Sequence, residues 1–136
     1  MTVIGSLLAV CALLGGQAQE RQALRTLSVT DAKGLVRAAL TAQQRRLPRL
    51  EMIQEGKTDP RYLFFMVVWQ GTAEGSVVVG HYAVDPRTGD VWNAVMECAE
   101  ETNKTLRDLQ AKLRARLELS PSEYKRLKSK GPLCEQ

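Results

Sequence analysis

Between Arg61 and Val95 the chain carries its most constraining feature: two long runs rich in β-branched and aromatic residues, "RYLFFMVVWQ" and "SVVVGHYAV", then a shorter one, "DVWNAV". Gly71, Gly75 and the segment "DPRTG" supply the reversals between them. Such runs bounded by turn residues read as strands joined by hairpins. The near-continuous apolarity of the first predicts a central strand whose second face is also partly covered, and "RLEMIQE" upstream predicts a further short strand. In "DPRTG", Asp85 and Pro86 suit the first two positions of a type I turn, and Gly89 suits the left-handed residue that re-enters the sheet. Strict alternation then groups Val79, His81 and Ala83 on one face against Gly80, Tyr82 and Val84, and Trp92, Ala94 and Met96 against Val91, Asn93 and Val95.

Helical periodicity flanks this block. Upstream, "SVTDAKGLVRAALTAQQ" places Ser28 as N-cap with Asp31 three residues on, then Ala32, Leu35, Val36, Ala39 and Leu40 at helical spacing. That helix is expected to run on to the "RRLPRL" segment, where Pro48 disfavours further helix. Downstream, Leu106, Leu109, Leu113 and Leu117 mark one apolar stripe, and Ser120-Pro121-Ser122-Glu123 is a helix start followed by Tyr124 and Leu127. The order predicts an α+β fold: an N-terminal helix on a three- to four-stranded antiparallel sheet, then a C-terminal helical pair. At 136 residues the chain suits one domain, here residues 28–136, behind a polar leader of residues 19–27.

Residues 1–18 contain no charged side chain, and Val3 to Leu14 is an apolar run of signal-peptide length. Gly16 and Ala18 are small residues suited to cleavage after Ala18, which predicts export to the periplasm or beyond. "LAVC" ending on Cys11 half resembles a lipobox, with Val10 where a small residue is wanted. Removal of residues 1–18 leaves Cys98 and Cys134. An even count in an exported chain points to a disulfide between them, the alternative being two separate thiols. Zinc fits poorly, because His81 is the sole histidine and no CxxC occurs.

Charge is uneven along the chain. Residues up to Glu100 hold ten basic and ten acidic side chains, whereas residues 101–136 hold nine and five, so the net +4 arises entirely in the C-terminal helices. Lys104, Arg107, Lys112, Arg114, Arg116, Lys125, Arg126, Lys128 and Lys130 form a cationic surface suited to an acidic protein, anionic lipid or wall polymer, or simply to water. No nucleic-acid recognition motif accompanies them. No nucleophile-and-base motif, paired-carboxylate motif or phosphate loop is present, which points away from an enzyme and from a cofactor. His81 beside Asp85 or Asp90 is the nearest thing to a catalytic pair, and a lone strand histidine is usually bland.

"LSVTDAKGLVRAAL" together with "HYAVDPRTGDVW" resembles the PepSY family and, more loosely, cystatin-like modules of exported bacterial proteins. Val84, Asp85, Thr88, Gly89 and Val91 match the family's strand-to-turn motif, and the resemblance spans Leu27 to Val95. The C-terminal helical pair and the two cysteines depart from a minimal PepSY module. The resemblance implies an exported binding or inhibitory module, with no catalytic residues to carry over.

Two function classes follow. One is an exported protein-binding module that restrains a hydrolase, as immunity proteins restrain toxins; the other is an envelope component held to anionic polymer or lipid by its basic helices. For the first, Pro86, Arg87 and Thr88 are expected to project as a hairpin tip, Arg114 and Arg116 to contribute from the basic C-terminal helices, and an open sheet edge to accept an extended partner segment. Trp69 and Trp92 are either core residues or binding anchors.

Overall fold

The computed structural model describes residues 25–56, 59–72, 75–94 and 99–132. Ser28 opens helix α1 (Val29–Ala39): its hydroxyl accepts from the Asp31 N–H while the Asp31 carboxylate accepts from the Ser28 N–H, a reciprocal cap. Ala32, Leu35, Val36 and Ala39 fall on its buried face. The helix ends at Leu40, earlier than periodicity alone predicts, because Thr41 caps a second short helix, α2 (Ala42–Arg45), through the Gln44 N–H. The carbonyls left at the end of α1 are taken up from elsewhere: Arg45 donates to Ala38 and Leu40, and Asn103 donates to Ala38 and Ala39.

Four antiparallel strands follow in spatial order, β1 (Leu50–Gln54), β2 (Leu63–Thr72), β3 (Gly75–Val84) and β4 (Val91–Asn93). β2 is central, as its composition predicts. Phe65 and Val67 sink into the main core with the α1 face, Tyr82, Val84, Val91 and the later leucines, while Phe64 packs on the opposite side with Tyr62, Ala83 and Trp92. The expected alternation in β3 breaks at one place. Val67 pairs with Gly80 but Val68 pairs with Val78, so Val79 is an extra residue in β3 and turns into the main core instead of joining Ala83.

Asn103 caps helix α3 (Lys104–Arg116) by accepting from the Leu106 N–H. Leu106, Leu113 and Leu117 are buried against α1 and the sheet, with Leu109 beside Gly34, where a β-carbon would lie 3.9 Å from its Cδ2. Glu118 takes a positive φ and reverses the chain, and Ser120, Pro121 and Glu123 start helix α4 (Pro121–Leu127) with the predicted capping box. α4 stops at Leu127, short of Gly131-Pro132. The segment after it crosses to the second sheet face: the Ser129 hydroxyl lies 2.6 Å from the Tyr62 hydroxyl, and Gly131, at φ +100°, sits so close to Trp92 that a β-carbon would meet its Nε1 at 2.6 Å.

Candidate functional site

The turn between β3 and β4 is closed by backbone bonds from Thr88 and Gly89 to the Asp85 carbonyl, with Gly89 at φ +74°. Its tip does not project. Thr88 is fully buried, and Pro86 and Arg87 are partly covered. Arg87 folds back on its own turn, donating from Nε and Nη2 to the buried Asp85 carboxylate at 3.0 and 2.7 Å. The Pro86 carbonyl accepts from the Leu27 N–H at 2.8 Å, so the segment before α1 lies across the tip. Expectation and structure differ because residues distant in sequence cover a turn that is locally built to protrude.

Most of that cover is polar. Arg114 of α3 reaches the Asp90 carboxylate at 2.7 Å and the Thr88 carbonyl at 2.7 Å, and Gln110 donates to the Gly89 carbonyl at 2.9 Å. Tyr124 of α4 donates to Asp90 at 2.9 Å while Arg114 stacks 4.1 Å over its ring. Lys128 donates to the Tyr124 hydroxyl and pairs with Glu100, and Thr88 donates to the remaining Asp90 oxygen at 2.9 Å. Burial raises the Asp90 pKa above its ordinary 3.8, against the opposing pull of Arg114, Lys128, Thr88 and Tyr124. Burial lowers that of Lys128, but Glu100 and Tyr124 outweigh it and hold the ammonium more firmly charged. With its acceptors all engaged, Asp90 is a fastening, not a base poised for a substrate. Arg116 is exposed and pairs with Asp31 at 2.6 Å, tying α3 to α1 rather than joining the turn.

The opposite end of the sheet is open. On the face away from α1 and α3, Ile53, Met66, Val68 and Val78 sit in neighbouring positions across β1, β2 and β3, with Val78 50% and Ile53 38% exposed. Polar pairs border them: Gln70 donates to Glu51 at 2.8 Å, and His81 lies 2.9 Å from Glu55. His81 therefore meets Glu55, the residue after β1, and not Asp85 or Asp90. Val77, 52% exposed, continues the apolar surface round the β2–β3 hairpin. Of the two tryptophans Trp92 is core, 1% exposed, whereas Trp69 is only partly buried and its Nε1 has no hydrogen-bond partner.

The sheet's two edges also differ. β4 is covered by the returning chain, through bonds from Asn93 to the Ala99 carbonyl and from Glu101 to the Val91 carbonyl. β1 has no strand on its outer side among the described residues. A shallow cleft of about 260 Å³ between α2 and the start of α3 is lined in part by Arg45, Glu101 and Asn103. Arg45 and Asn103 are already engaged with the α1 carbonyls there, and burial raises the Glu101 pKa.

Asp90 and Tyr124 carry the clasp in roles other than those read from the sequence, a partner for His81 and a residue of the last helix, and Gln110 had not stood out. Gln110 was the readable signal, a polar residue within the leucine stripe of α3. Cys98 and Cys134, and the apolar leader with Cys11, lie outside the described residues. Among the described residues no three His, Cys, Asp or Glu side chains group as metal ligands, and no helix is long and apolar enough to cross a membrane.

No protein-family model and no curated protein matches the chain. Among solved structures, it is similar to a chain in a type VI secretion system effector–immunity complex from Pseudomonas protegens. The identity is 24% and the TM-score 0.57, over 74% of this chain and 85% of that one. The likeness establishes a shared α+β fold.

Proposed function

We propose that the protein is an exported, non-enzymatic binding module of the immunity type, which neutralises a protein effector, a hydrolase in the simplest case, by docking it on the open sheet face. The observation that carries this reading is the apolar group of Ile53, Met66 and Val78, at the end of the second sheet face away from the Tyr62–Phe64–Trp92 cluster and bordered by the polar pairs Glu51–Gln70 and Glu55–His81. An apolar centre with a polar rim is the anatomy of a protein interface. The fold shared with a chain of an effector–immunity complex supports the same reading. So does the PepSY-like strand and turn from Val84 to Val91, which resembles exported inhibitory modules.

Attachment to anionic polymer or lipid receives less support. Of the nine cations in the C-terminal helices, Lys104, Arg114, Arg116 and Lys128 are in ion pairs with Asp108, Asp90, Asp31 and Glu100. Export and a Cys98–Cys134 disulfide belong to the proposal. Chain neighbouring both cysteines gathers at Trp92, whose backbone bridges to Glu100 and whose ring lies against Gly131.

The test is capture of partners from envelope extract by the mature protein, followed by titration of the recovered protein against wild type and Val78→Lys. The expected result is a saturable complex that Val78→Lys weakens at least tenfold, together with relief of the partner's toxicity on co-expression. Binding indifferent to Val78→Lys but lost steeply with salt would overturn it in favour of polyanion attachment.

A further inference from the structure

We propose that β1 pairs with the β1 of a second copy, antiparallel and centred on Met52, joining two four-stranded sheets into one of eight strands. This goes beyond capture of a partner protein and does not depend on it. Glu55 donates its N–H to the Phe64 carbonyl, and Arg49 accepts at its carbonyl from the Gln70 N–H. In an antiparallel ladder bonded and non-bonded pairs alternate, so Arg49, Glu51, Ile53 and Glu55 turn their backbone groups towards β2. Leu50, Met52 and Gln54 turn theirs outwards, to an edge carrying neither the Lys nor the Pro that commonly blocks further pairing.

Two-fold symmetry leaves few ways to satisfy those groups. Centring the pair on Glu51 sets the two Glu51 carboxylates directly opposite each other and brings Gln54 against Pro48, which has no N–H. Centring it on Ile53 sets Glu51 opposite Glu55. Centring it on Met52 pairs Leu50 with Gln54 and Met52 with Met52, using all three outward residues in both copies. It also sets Arg49, which enters β1 from a turn at φ +54° and makes no ion pair among the described residues, at the register position opposite Glu55, twice over. Glu55 engages His81 through Oε2, leaving Oε1 to face the arginine. Opposite charges across strands stabilise a pair and like charges oppose it, so charge and backbone select the same register. The two Ile53 side chains then become diagonal neighbours and the apolar faces of both copies merge; the two Glu51 carboxylates are also diagonal, each held by its own Gln70 and no longer directly opposed.

The experiment is the solution mass of the mature chain by sedimentation equilibrium at about 100 µM, well above the micromolar range of a modest interface. The expected mass is twice that of one chain, and Arg49→Glu should raise the dissociation constant at least tenfold while circular dichroism is retained. Under mild oxidation Met52→Cys should form a cross-linked dimer that the wild type does not, whereas Glu51→Cys should not. A monomeric wild type at that concentration overturns the proposal. A dimer indifferent to Arg49→Glu, or cross-linked through Glu51→Cys in place of Met52→Cys, overturns the register.

Discussion

Two hairpins of this sheet, β2–β3 and β3–β4, end in opposite circumstances. The β3–β4 turn carries Pro86, Arg87 and Thr88, the residues expected at an exposed tip, yet Leu27, Gln110, Arg114 and Tyr124 close over it until Thr88 and Asp90 are out of water. The β2–β3 hairpin carries Val77 and Val78, residues expected in a core, and leaves both half exposed. A turn's local chemistry sets its shape, whereas its exposure depends on what later chain returns to it. Here the C-terminal helices return to one end only, so the polar end is sealed and the apolar end is presented.

The largest expected effect lies with the proposed Cys98–Cys134 bridge, which would tie the chain after β4 to the C-terminal tail. Reducing it should lower stability by about 4 kcal/mol in the chain-entropy view, read from urea unfolding with and without reductant. Free thiols in the exported protein, with no change on reduction, would remove that fastening from the account. Next comes Asp90→Ala, which strands the Arg114 guanidinium and the Tyr124 hydroxyl and should cost about 3 kcal/mol. A loss below 0.5 kcal/mol would mean the clasp holds nothing. Gly131→Ala is expected to cost about 2 kcal/mol, because it combines a strained φ with a β-carbon driven into Trp92.

A smaller signature is pH dependence. The folded Asp90 carboxyl has a pKa raised above 3.8, chiefly by burial, so as pH climbs from 3.8 through the folded value the unfolded chain sheds a proton the folded chain keeps. Wild-type stability should therefore decline relative to Asp90→Asn as pH rises through that window, read as a difference in Tm. Asp31 runs the other way: burial raises it, but hydrogen bonds from Arg116 and Ser28 outweigh that and hold it low, so its contribution fades as pH falls below 3.8. A raised Asp90 alongside a costly truncation is no contradiction. Burial takes more from the charged form than its partners return, while removing the charge leaves those partners buried with nothing to bind. Smallest of all, Val78→Lys should change stability by no more than about 0.5 kcal/mol, since its side chain is half in water.

What the sequence made legible was local. Ser28 and Ser120 cap helices through groups three residues away, Gly89 turns the hairpin its neighbours require, and β2 reads as central because its own residues are apolar on both faces. What it hid was set at a distance. α1 stops at Leu40 where a new cap begins, with Asn103, more than sixty residues on, taking two of its last carbonyls. Val79 leaves its expected face because β2 and β3 slip by one residue, and His81 finds Glu55 twenty-six positions upstream. Thr88 and Arg114 were both singled out as surface residues of one site; they do meet, but as an internal bond. Pro86, Arg87, Thr88 and Arg114 thus lie at the covered end of the sheet, engaged by their own turn or by chain from distant elements, whereas Arg116 stays exposed beside Asp31.

The most direct test of the two-ended account is the affinity of the captured partner for two variants measured side by side, Val78→Lys at the open end and Arg87→Ala at the sealed one. The expected dissociation constant is at least tenfold higher for Val78→Lys and within twofold of wild type for Arg87→Ala. Equal losses, or a loss confined to Arg87→Ala, would contradict it.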